Sequence, residues 1–289
     1  MKYTMKKLPR TPFDSDAVHE ECGVFGIYAQ GCPEVSPAHD TYTALFALQH
    51  RGQEACGIAV NSRGVIRCHK DVGLVSEVFS QERLDSMSGE MAVGHVRYST
   101  TGQPSRENAQ PLSITHVKGN LAVAHNGNLV NAMELRREIE LNGGIFRSSS
   151  DTEVLVYTIV RERIHAPSIE EAVLRAMKVI RGSYSLVVMS PRKLGNAVLF
   201  ASESCAFDAL GAEFVRDIEP GEVVVVSRDG IRSLHCGIEA PSTQCVFEFI
   251  YFARPDSVID GASVERARQE AGKYLSIEHP VGADVVIGV

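Results

Sequence analysis

Apolar runs in this chain are short, and two of them lead straight into polar clusters. Residues 23–29, 91–96 and 121–124 are the clearest. Runs of this length suit buried strands, and none approaches the roughly 20 residues that span a bilayer. Hairpin patterns occupy residues 58–68, turning at Asn61-Ser62-Arg63-Gly64, and 222–233, turning at Asp229-Gly230. Helical patterns lie between. Ser36-Pro37 offers an N-cap followed by proline at the first helical position. Tyr42, Leu45 and Leu48 then share a face, and the helix stops near Gly52. A helix over residues 131–141 ends at Asn142-Gly143-Gly144. Ser150 with Glu153, and Ser168 with Glu171, have capping-box spacing and open two further helices, the second ending at Gly182. Residues 186–189 follow as a strand. Short strands with interspersed helices predict an α+β architecture of helices packed on sheets.

The texture changes after Cys236. A strand over 246–252, a helix over 264–275 and a strand over 284–288 would open a second, α/β domain. Ligand loops in such sheets follow the carboxyl ends of strands. The expectation is that this domain breaks off at Val289, before its first binding loop.

Of 289 residues, 44% are hydrophobic, which supplies a sizeable core, and the net charge of −7 implies no general attraction to nucleic acid. The seven cysteines are odd in number and include no C-x-x-C pair, which argues against a disulfide framework and for a reducing cytoplasm. Residues 1–21 begin basic (Lys2, Lys6, Lys7, Arg10) and turn acidic (Asp14, Asp16, Glu20, Glu21). No apolar stretch lies between, so they are not a secretory signal.

Four places hold residues suited to one chemistry. Cys22 stands just before the first strand. A free thiol, with a pKa of about 8.5, needs help near neutrality. A cysteine at a chain terminus has its own α-amine, with a pKa of about 7.7–8.0, as the base. That requires cleavage between Glu21 and Cys22, because an amide nitrogen has no useful basicity. Alternation puts His95 and Arg97 on one face at a strand's carboxyl end, where the arginine can clamp a carboxylate. Asn126 and Gly127 follow the strand over 121–124 and can aim an amide and an N–H at one point, as an oxyanion hole requires. Asp151, in a helix's first turn, can hold an ammonium group. Each has a structural reading too: a buried cysteine, a surface ion pair, a plain turn, an N-cap. Together they suit a free α-amino acid with a reactive side-chain carbonyl, and glutamine fits.

The order of motifs resembles the N-terminal-nucleophile glutamine amidotransferases, and more closely the amidophosphoribosyltransferases. The resemblance is carried by Glu21-Cys22-Gly23-Val24-Phe25-Gly26-Ile27, Leu48-Gln49-His50-Arg51-Gly52-Gln53-Glu54 and Gly94-His95-Val96-Arg97-Tyr98-Ser99-Thr100-Thr101-Gly102. It continues through Glu107-Asn108-Ala109-Gln110-Pro111-Leu112, His125-Asn126-Gly127-Asn128-Leu129 and Ser150-Asp151-Thr152-Glu153. Ala201-Ser202-Glu203-Ser204-Cys205-Ala206 and Tyr251-Phe252-Ala253-Arg254-Pro255-Asp256-Ser257 are the stretches most specific to the narrower family.

The resemblance implies an αββα four-layer sandwich of the N-terminal-nucleophile hydrolase type over residues 22–240. It implies a propeptide-like leader over 1–21 and the start of an α/β type I phosphoribosyltransferase domain over 241–289. It makes Cys22 the nucleophile, with Asn126 and Gly127 as the oxyanion hole. It sets Arg51 and Gly52 against nucleophile and substrate, Arg97 on the glutamine α-carboxylate and Asp151 on its α-amine. The implied activity is the glutaminase half of an enzyme of de novo purine biosynthesis. The full-length enzyme would use phosphoribosyl pyrophosphate with Mg2+ in the part missing here, and would form a homo-oligomer. It would also carry a 4Fe-4S cluster, for which Cys245 matches one ligand. No nucleic-acid or membrane partner is implied. The family pattern departs at Ser190-Pro191-Arg192-Lys193-Leu194-Gly195-Asn196, which runs straight into residues 197–201 where relatives have a further strand and turn. An inactive or regulatory remnant, or another amidotransferase such as a hexosamine- or asparagine-forming one, is therefore carried as an alternative.

Overall fold

The computed structural model describes residues 22–29, 31–98, 105–189, 197–227, 229–237, 245–285 and 287. The expected first strand is β1 (Gly23–Tyr28), followed by α1 (Pro37–Ala47) and a single 3-10 turn at Gln49–Arg51. The first hairpin is β2 (Ala55–Ser62) with β3 (Val65–Val72), after which come the short helices α2 (Val75–Val78) and α3 (Gln81–Asp85). Then follow β4 (Met91–Arg97), β5 (Leu112–His116) and β6 (Gly119–Leu129), and the helices α4 (Ala132–Leu141), α5 (Asp151–His165) and α6 (Ile169–Met177). β7 (Gly182–Met189), β8 (Val198–Ala201), α7 (Cys205–Leu210) and the hairpin β9 (Glu222–Ser227) with β10 (Gly230–His235) complete this unit. The last elements are the two-residue strands β11 (Val258–Ile259) and β12 (Ala262–Ser263), and α8 (Val264–Glu278).

Two sheets form the frame, in the orders β3-β2-β4-β1-β8 and β5-β6-β7. Alternation along the strands sorts side chains into layers. Phe25, Ile27, Cys56, Ile58, Val60, Ala92 and Val96 turn outward onto α1 and its neighbours. Val24, Tyr28, Ala59, Met91 and Val93 turn inward to meet Ala122, Ala124 and Met189 of the second sheet. Leu121 and Val123, on the other face of β6, pack on α4, α5 and α6. The result is helix, sheet, sheet, helix. Small residues let the sheets approach closely: a Cβ on Gly26 would meet a Val187 methyl at 2.7 Å.

Several expectations need correction. The Asn126-Gly127 pair is not a turn; β6 runs through it, paired with Ser185 and Tyr184 of β7. Strand pairing uses backbone groups, so a polar side-chain run did not end the ladder. Ser150 caps α5 through Thr152 N–H, but Glu153 reaches back past the cap to the N–H groups of Arg147 and Ser148. Ser168 caps α6 through Glu171 N–H, whereas the Glu171 carboxylate turns to Arg175. Ser36 makes no side-chain cap, although Pro37 does open α1.

Residues 246–252 are not a strand. A π-helical turn occupies Glu248–Phe252, and a short apolar run cannot distinguish strand from helix by period alone. The helical turn buries Phe252 and brings Glu248 onto the first unit. Asp284, Val285 and Ile287 lie in no strand, and the rest of the strand expected over 284–288 falls outside the described residues. The leader 1–21, Ser99 to Gly102 and the departure at 190–196 also fall outside them. Among the described residues, β7 has β6 on one side and no strand on the other. No described helix is long and apolar enough to cross a membrane.

Candidate active site

Cys22 sits at the head of β1, antiparallel to β4, with Gly23 opposite Val96. This register sets the Cys22 thiol 3.4 Å from the Tyr98 carbonyl oxygen, beside Arg97. A pocket there is lined by Cys22, Arg97, Gly127 and Asp151, joined by Gln110 and Ser150. Four residues singled out from separate stretches of sequence thus face one space.

The Cys22 carbonyl oxygen is held twice, by Asn126 Nδ2 at 2.6 Å and by Arg51 Nε at 3.1 Å. An amide nitrogen has two protons, so Asn126 keeps a second donor. Asp151 begins α5 and accepts the Leu129 N–H at 3.0 Å. Gly127 has φ of 133°, a left-handed value that favours glycine. A Cβ there would collide with the Ser183 carbonyl oxygen. Gly52 does not line the pocket. It packs under the backbone of Arg97, where a Cβ would meet the carbonyl carbon.

Arg51 is more deeply committed than the sequence suggested. It is 3% exposed, and its terminal nitrogens are taken by Glu203 at 2.6 Å and by both oxygens of Glu248 at 2.8 and 3.0 Å. It therefore touches Cys22 but turns its fork away from the pocket. Glu203 also accepts from His50 Nε2 at 2.8 Å, the Ser257 hydroxyl at 2.7 Å and the Arg254 N–H at 2.9 Å. Burial would raise the Glu203 carboxyl, but the hydrogen bonds and charges of His50 and Arg51 hold it down at about 2.

Beneath the pocket, His95 is fully buried and its Nε2 lies 3.1 Å from the His125 carbonyl oxygen. A carbonyl can only accept, so Nε2 carries the proton. Burial, with the nearby Arg97 adding, pushes the His95 imidazole down to about 3, so it stays neutral. His125 is lowered too, by burial, against the pull of Asp151.

Sequence reasoning named no role for Gln110, Glu203 or Glu248. A lone carboxylate inside the apolar run 246–252 was the available signal for Glu248, whereas Glu203, between Ser202 and Ser204, carried none. Cys245 is exposed, far in character from a ligand cage, and no three His, Cys, Asp or Glu side chains gather as metal ligands among the described residues.

The fold is that of a class II glutamine amidotransferase domain, and residues 95–201 match the family described as glutamine amidotransferase domain. Amidophosphoribosyltransferases match over almost the whole chain. That of Methanocaldococcus jannaschii is 43% identical over 92% of this chain and 63% of its own length. That of Synechocystis is 43% identical over 97% and 60% respectively. The solved glutamine phosphoribosylpyrophosphate amidotransferase of B. subtilis, complexed with ADP and GMP, superposes with a TM-score of 0.82 at 38% identity. That match covers 91% of this chain and 60% of the solved one. The chain is similar to amidophosphoribosyltransferases, and spans about three fifths of the length of these relatives.

Proposed function

We propose that this chain hydrolyses glutamine to glutamate and ammonia, as the glutaminase half of an amidophosphoribosyltransferase reaction in purine biosynthesis. The convergence of Cys22, Arg97, Gly127 and Asp151 on one pocket carries the reading. Release of residues 1–21 frees the Cys22 α-amine. The amine accepts the thiol proton as Sγ attacks the carboxamide carbon. The oxyanion that forms is met by the spare Asn126 N–H and the Gly127 N–H. The amine's proton passes to the departing nitrogen, ammonia leaves and a thioester remains. Water, deprotonated by the same amine, then attacks the thioester, and glutamate is released with the thiol restored. Arg97 binds the α-carboxylate and Asp151 the α-ammonium, which fixes L-glutamine by its two charges at one end. Arg51 and Asn126 act on the other side, holding the Cys22 carbonyl so that Sγ and amine share one geometry.

Phosphoribosyl pyrophosphate and its Mg2+ belong, in this reading, to the two fifths of the relatives' length that the chain does not span, as does homo-oligomer assembly. A 4Fe-4S cluster of the full-length enzyme would need ligands besides Cys245, and no step here uses it. Seven free cysteines suit a reducing, cytoplasmic setting.

The test is the intact mass of the purified full chain beside a Cys22→Ala control, with glutamate release measured on both. Loss of residues 1–21 and turnover in the parent alone supports the assignment. A parent that retains the leader and releases no glutamate refutes it and favours the remnant.

A further inference from the structure

β5 stops two residues short of the point that would face His125 of β6. The ladder between them runs from His116 opposite Gly119 to Leu112 opposite Val123, and ends there. On its other side β6 stays paired with β7 through Leu129. Alternate residues of a strand direct their backbone groups to the same side. His125, Gly127 and Leu129 thus continue the row of Val123 along the edge that β5 leaves open.

That row is filled in an orderly way. At Leu129 the N–H is taken by the Asp151 carboxylate at 3.0 Å. At His125 the buried Gln110 side chain does what a neighbouring strand would do. Its Oε1 accepts the His125 N–H at 2.8 Å, and its Nε2 donates to the His125 carbonyl at 3.1 Å. His95 Nε2 adds a second donor to the same carbonyl at 3.1 Å. Gly127 lies between these two fixed points and lines the pocket with Cys22.

We infer that Gln110 is a positioning residue for the reaction proposed above: its amide stands in for the missing strand neighbour at His125 and so fixes the Asn126-Gly127 donors over Cys22. Its side chain can do this where another strand residue could not. A continuing β5 would cover the row and close the edge at Gly127, whereas a single side chain satisfies one peptide and leaves the next facing the pocket. Pro111 is the residue just before β5 begins at Leu112.

The inference rests on the glutaminase reading, and the experiment separates the two. Wild-type full chain and Gln110→Met, which keeps volume but loses both hydrogen bonds, are compared for glutamine hydrolysis. Binding is measured for glutamate and for glutamate γ-semialdehyde, whose thiol adduct places an oxygen where the oxyanion forms. A wild type without turnover sinks the glutaminase reading itself. With an active wild type, a displaced donor pair predicts a fall in kcat of roughly 10- to 100-fold. The affinity for the semialdehyde should fall by the same factor, and that for glutamate by less than about threefold. A folded Gln110→Met with wild-type kcat, or one whose glutamate affinity falls as far as its kcat, overturns the assignment. Should Gln110→Met fail to fold, Gln110→Glu serves. Its ionised form keeps the acceptor and loses the donor, so its rate relative to wild type should rise on acidification between about pH 8 and pH 5. A ratio that stays flat at the wild-type level over that range also overturns it.

Discussion

The guanidinium of Arg51 bonds the carbonyl oxygen of Cys22 at 3.1 Å while Glu203 and Glu248 hold its other end. The Cys22 backbone is thereby tied to two buried or half-buried carboxylates, one of them in the helical turn at Glu248–Phe252. Removing one partner of a buried ion pair leaves a charge uncompensated, at a cost of about 3–5 kcal/mol. Glu203→Gln should lower stability by an amount near the bottom of that range, because Glu248 still faces Arg51. Glu248→Gln should cost less, because its side chain is 21% exposed. Urea unfolding of the three proteins checks the order, and equal stability of both variants with the parent would contradict it.

Acid should destabilise the fold in two overlapping windows. Glu203 titrates at about 2 when folded and near 4.3 when unfolded. Its contribution is therefore complete above about pH 4.3 and is lost as pH falls toward 2. His95 titrates at about 3 when folded and near 6.5 when unfolded. The unfolded chain binds the extra proton between those values, so this contribution also shrinks as pH falls from about 6.5 to 3. Tm against pH should slope downward from near-neutral pH, and Glu203→Gln should flatten only the part below about pH 4.3. At pH 5 the His95 ring should still show the neutral, Nε2-protonated NMR signature.

Arg97 and Asp151 should separate binding from chemistry. A charge-assisted hydrogen bond is worth about 1.5–3 kcal/mol, or roughly 10- to 150-fold. Arg97→Ala should raise KM for glutamine by a factor in that range with a smaller effect on kcat, whereas Cys22→Ala should abolish turnover. An Arg97→Ala enzyme with unchanged KM would remove the carboxylate role.

Gly127→Ala should be the most damaging single methyl in the site. Its φ of 133° disfavours an L side chain, and the new Cβ would press on Ser183. Strain of this kind costs roughly 1–3 kcal/mol, and a displaced oxyanion donor about 10²–10³ in kcat. Calorimetry and steady-state rates measure both; a variant as stable and as fast as the parent would count against β6 as drawn.

Much of this was legible from the chain. The hairpin at Asn61-Ser62-Arg63-Gly64, the proline-led α1 and the strands expected over 91–96 and 121–124 follow from period and turn chemistry. What escaped was non-local. The extension of β6 through His125-Asn126-Gly127-Asn128 depends on pairing with β7, about 60 residues on, and side-chain polarity says nothing of that. Glu248 looked like an interruption in an apolar strand because its partner, Arg51, is 197 residues away. Gln110 could not be read at all, since a side chain that pairs with a backbone leaves no periodic trace.

Arg254, Ser257 and Glu248 all converge on the Arg51–Glu203 pair. A minimal glutaminase cut at residue 240, where composition changes, would lose all three. The resulting fragment would carry a buried carboxylate short of two donors and an arginine short of one acid, directly behind Cys22. The useful place to divide such a protein for expression, or to fuse it to another, lies after Ser257, because there the seam in composition and the seam in packing are different places along the chain.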